Sequence, residues 1–87
     1  MNKNLTNNLM LKIMEMVKTM SSKDYPVIMN VIADTKNKGF VTIRDDFYVT
    51  LLGISKDRIL DIIDNMVDND ILIKRKNNNR YEYKLNF

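Results

Sequence analysis

The chain has 87 residues, 45% of them apolar and 29% charged, with no cysteine, no histidine and a formal net charge of +3 at pH 7. A chain of this size buries roughly 60–65% of its unfolded surface, enough for one core, so residues 1–87 are read as a single domain. The missing residue types exclude disulfides, thiolate metal sites and the commonest general base, and with no glycine-rich phosphate loop or nucleophile–base pair the expectation is a non-enzyme needing no cofactor and no metal.

The N-terminal stretch "MNKNLTNNLMLK" mixes Asn and Lys into its apolar positions, unlike a secretion signal. Its apolar runs are far short of the roughly 20 residues that cross a bilayer. The expectation is a cytoplasmic protein that starts near Met1 and does not enter a membrane. From Leu5 to Met20, Leu5, Leu9, Ile13, Met16, Val17 and Met20 recur at helical spacing, with Met10, Leu11 and Met14 widening the stripe. A helix apolar over most of its circumference needs cover on two sides, so Leu9, Met10 and Met14 are expected at a homodimer contact.

A polar break at "SSKD" precedes a second helix. Ser22 or Asp24 can cap it, Pro26 suits its first turn, and Val27, Ile28, Val31 and Ile32 form its buried stripe. Gly39 is expected to take the left-handed conformation that ends it. "FVTI", residues 40–43, reads as a short strand. A third helix covers about Asp45 to Leu52, with Phe47, Val49, Leu51 and Leu52 apolar. Gly53 turns the chain, and Ser55 caps a fourth helix from Lys56 to about Asn69 whose core face is Ile59, Ile63, Met66 and Val67.

The period then changes to 2. "ILIKRK" and "YEYKLNF", separated by "NNNR", predict a β-hairpin with Tyr81, Tyr83, Leu85 and Phe87 on its packed face. Charge follows the same boundary. Residues 55–71 set Lys56 and Arg58 against five aspartates, a balance of −3, whereas residues 72–87 set five cations against Glu82, a balance of +4. Asp61, Asp64 and Asp68 have no recognisable calcium-loop spacing and read as a solvated acidic face. Tyr81 and Tyr83 read as hairpin packing rather than base-stacking groups, and the roles of Tyr25 and Tyr48 stay open.

The order helix, short strand, helix, Gly turn, helix, hairpin over residues 25–87 resembles the winged-helix family of DNA-binding domains. The resemblance is carried by "VTIRDDFYVTLLGIS", by "SKDRILDIIDNMVDNDILIKRK" as recognition helix running into a strand, and by "NNNR" as wing tip. It implies an α+β, mainly helical fold: a winged helix-turn-helix with an additional N-terminal helix over 5–20 and a C-terminal β-hairpin wing. It also implies sequence-specific binding of double-stranded DNA. Ser55, Lys56 and Arg58 then occupy the recognition helix's first turn, Thr42 and Arg44 anchor the backbone, and Lys74, Arg75, Lys76, Asn77, Asn78, Asn79 and Arg80 belong to the wing. Acidic Asp61 and Asp64 depart from the family's pattern and imply entry into the groove by the helix tip alone. Leu60 and Ile62, off the expected core stripe, are then available to a second subunit.

That arrangement resembles the small TubR-type centromere-binding adaptors of tubulin-type plasmid and phage partition. The implied roles are transcriptional regulator or partition adaptor, the latter with a tubulin-like GTPase as partner. The alternative is a winged-helix protein-interaction module that binds no DNA, its partner meeting the Met-rich helix or the aspartates.

Overall fold

The structure, a computed structural model, describes residues 3–87, with side-chain surroundings from residue 7 onward. Leu5 of the N-terminal stripe therefore lies outside the described side chains. The chain is α+β and mainly helical: α1 (Lys3–Val17), α2 (Tyr25–Thr35), α3 (Asp45–Leu52) and α4 (Lys56–Asp68) precede a hairpin of β1 (Leu72–Asn77) and β2 (Arg80–Leu85). Among the described residues no helix is long and apolar enough to cross a membrane.

One core gathers Met16 from α1, Val27, Ile28 and Val31 from α2, Tyr48 from α3, and Ile59, Ile62, Ile63 and Met66 from α4. Ile71, Leu72, Tyr83 and Leu85 extend it under the base of the hairpin. Two expectations for the helices change here. Ile62 is fully buried, because α4 is covered by α2 on one flank and by the hairpin on the other, which makes its apolar face wider than a single stripe. It belongs to the core and is removed from the dimer contact. On α3 the buried residue is Tyr48, while Phe47 and Leu51 are exposed. The Tyr48 ring fills the core and its hydroxyl donates to Asp34 on α2.

The polar break before α2 is an ordered 3-10 turn, Ser22–Asp24. Ser21 caps that turn: its hydroxyl accepts from the Lys23 amide at 3.2 Å while Asp24 accepts from the Ser21 amide at 3.2 Å, a reciprocal capping box. Of the two residues expected to cap α2 it is Asp24 that stands at its N-cap, without a side-chain bond there. The left-handed residue after α2 is Asn37 (φ 59°) rather than Gly39. An Asn side chain tolerates that region. The expected strand at 40–43 shrinks to one bridge, Val41 to Tyr83, closed by amide-to-carbonyl bonds of 2.9 and 2.8 Å.

The junction of α4 with β1 aims the hairpin. Asp70 takes φ 60°, its amide donates to Val67 O at 3.0 Å, and the Ile71 amide donates to Met66 O at 2.9 Å. This is a Schellman stop with a buried Met66–Ile71 contact, built on aspartate instead of glycine. Asn86 then clamps the base through Ile71 O and Asp70 O, each at 2.9 Å.

The hairpin pairs Leu72 with Leu85, Lys74 with Tyr83, Lys76 with Tyr81 and Asn77 with Arg80. Asn78 and Asn79 both have positive φ, 51° and 65°, as a two-residue type I′ turn requires. Burial reaches outward only as far as Tyr83. Tyr81 is 50% exposed, so the expected packed face covers the hairpin's inner half and the outer half projects from the body.

Candidate nucleic-acid interface

Four of the residues expected to contact DNA converge on one open cleft of about 530 Å³: Thr42, Lys56, Asn79 and Arg80. Ile43, Leu60, Ile63, Tyr81 and Tyr83 complete its lining together with the carboxylate of Asp45. Each wall has a local cause. The Val41–Tyr83 bridge holds the extended segment before α3 against β2, Ser55 starts α4 by accepting from the Arg58 amide at 3.2 Å, and the Asn78–Asn79 turn returns Arg80 beside the cleft mouth.

Most of the remaining cations are engaged within the molecule. Arg44 donates twice to Asp34 at 3.2 Å and lies 4.5 Å over the Phe47 ring. Lys56 stands 3.9 Å from Asp45 and 3.6 Å from Asp46. Lys74 sits 3.8 Å from Asp64 and 4.1 Å over Tyr81. Arg75 donates to Glu82 at 2.9 Å and stacks 4.0 Å over Phe40, and Asn77 reaches the same carboxylate at 3.4 Å. The Lys56–Asp46 and Lys74–Asp64 pairs involve exposed carboxylates and contribute little, whereas Asp34, Asp45 and Glu82 are partly buried.

Arg58 is different. Its guanidinium grips Asp24 through both Nε and Nη2, and Asp24 is buried. That hydrogen bond, with the Arg58 charge, holds the Asp24 carboxyl below the usual carboxylate range even though burial opposes it. Arg58 thereby fastens α4 to the turn before α2.

Lys76 and Arg80, at the outer end of the hairpin, make no ion pair among the described residues, and neither does Lys84. The opposite sign runs along α4. Asp57, Asp61, Asp64 and Asp68 are all exposed and fall within one stripe by their i, i+4, i+7, i+11 spacing. Positive charge on the hairpin thus lies beside an acidic helix face.

The expected dimer residues are divided by the structure. Leu9 packs on the core, whereas Met10 (53%), Met14 (55%) and Leu60 (38%) are substantially exposed. Lys38, which sequence reasoning passed over, lines a neighbouring groove with Thr42 and Arg44. Its only sequence signal is a lysine placed four residues before Thr42.

No protein-family model, curated protein or solved structure matches the chain.

Proposed function

We propose that the protein is a winged-helix homodimer that binds double-stranded DNA in a sequence-specific way, with the hairpin and the N-terminal tip of α4 as its contact surface. The observation carrying this reading is the convergence of Thr42, Lys56, Asn79 and Arg80 on one cleft, with unpaired Lys76 beyond it. A sugar–phosphate strand seated there meets cations and hydrogen-bond donors that fix register, while the asparagines of the tip can read base edges in the adjacent groove. The aspartates of α4 repel phosphates along the helix body, so the tip approaches and the body stands off. Met10 and Met14 supply the apolar face for the second copy.

Transcriptional regulation and replicon partition both use such a dimer. A tubulin-like GTPase gene beside this one would assign partition and name that GTPase as partner. The direct test is fluorescence anisotropy of labelled duplexes from the native locus against scrambled duplexes, at low salt. Tighter binding to a native fragment supports the reading, and no binding to either refutes it.

The aspartate stripe favours a second reading, a protein-interaction module whose partner is basic. Asp57→Asn/Asp61→Asn separates the two: removing carboxylates that face DNA raises duplex affinity, whereas removing carboxylates that hold a basic protein leaves duplex behaviour unchanged.

A further inference from the structure

Beside the cleft lies a second depression of about 330 Å³, lined by Asp34, Lys38, Val41, Thr42 and Arg44. Thr42 lines both depressions, so they meet at its exposed side chain. Two cations and one carboxylate border this groove, and the carboxylate is already committed. Asp34 accepts from the Tyr48 hydroxyl and twice from Arg44 Nη2. Burial raises its carboxyl, but those hydrogen bonds and the charges of Arg44 and Lys38 outweigh it and keep the group ionised.

The Lys38 ammonium has no ion-pair partner among the described residues. Its position follows from the end of α2. The buried Thr35 hydroxyl donates to Val31 O at 2.8 Å, Asn37 turns left-handed, and the Lys38 amide donates to Thr35 O at 3.3 Å. The groove therefore presents a lysine without a close ion pair among the described residues, with Thr42 in the same lining.

We propose that this groove is a phosphate subsite for duplex DNA: the strand seated between α4 and the hairpin continues over Thr42 and sets a further phosphate against Lys38. The proposal rests on the DNA-binding reading and adds to it a ligand-binding residue on the far side of Thr42. Lys36 provides an internal control, because it is exposed and two residues away but does not line the groove.

The experiment compares wild type, Lys38→Ala and Lys36→Ala by anisotropy on one native-locus duplex over a salt series. One lost phosphate contact lowers the slope of log affinity against log salt by about 0.9, so the Lys38→Ala deficit should be about threefold larger at about 50 mM than at about 200 mM salt. Lys36→Ala should change the slope by less than a third as much, and Lys38→Arg should restore it. Equal effects of Lys36→Ala and Lys38→Ala, or a wild-type slope for Lys38→Ala, overturn the subsite while leaving DNA binding intact. Failure of wild type to bind any duplex overturns both.

Discussion

Arg58, in the first turn of α4, donates from Nε to Oδ1 of Asp24 at 3.1 Å and from Nη2 to Oδ2, joining residues 34 apart in sequence. Asp24 also closes the capping box with Ser21, so one carboxylate orders the 3-10 turn, the start of α2 and the tip of α4. Arg58→Ala should lower the thermal midpoint while leaving the salt slope of DNA binding unchanged. Thermal melts and a salt series on the same variant check this. A slope reduced by about 0.9 would instead mean that the guanidinium leaves Asp24 for a phosphate.

Acid should unfold the protein through the same carboxylates. Asp24, mainly through its hydrogen bond from Arg58, and Asp34, where the Tyr48 and Arg44 hydrogen bonds outweigh burial, both titrate below the ordinary value of 3.8 when folded. A group whose folded pKa is depressed binds its proton more readily when unfolded, so its stabilisation is complete above 3.8 and disappears as pH falls through the folded value. Urea midpoints measured across that range should drop steeply for wild type. Asp24→Asn and Asp34→Asn should each flatten the dependence.

Lys76→Ala and Arg80→Ala should weaken DNA binding without affecting the fold. Both side chains are exposed on the outer half of the hairpin, where truncation opens no cavity. Each should reduce the salt slope by about 0.9, on native and scrambled duplexes alike. Retention of the full slope in the double variant would remove the hairpin from the interface.

Two apolar substitutions should separate core from dimer contact. Ile62→Ala, at a fully buried site, should cost about 2–5 kcal/mol of folding stability. Met14→Glu, on the exposed face of α1, should leave the melt nearly unchanged and shift sedimentation from dimer to monomer. A monomeric wild type at micromolar concentration would refute the role given to Met10 and Met14.

Local pattern was enough to place the helices, the Gly53 turn and the hairpin, because each depends on short-range rules: apolar spacing, a serine cap at Ser55, and a change of period at residue 71. The winged-helix resemblance marked Thr42, Lys56, Asn79 and Arg80, and the fold brings all four to one cleft. Charge signs by segment were legible as well, and the acidic stripe of α4 follows directly from aspartate spacing.

Which neighbour each group meets was decided only in three dimensions. Arg58 looks like a free cation in sequence, since its partner lies 34 residues away. Ile62 looks peripheral until α4 is covered on both flanks, and Tyr81 looks packed until the hairpin is seen to outrun the body. The left-handed Asp70 that aims the hairpin, and Lys38 beside Thr42, are equally products of tertiary placement. Burial and pairing depend on contacts between distant segments, and a one-dimensional pattern of apolar and charged residues carries the means to make those contacts but not the choice among them.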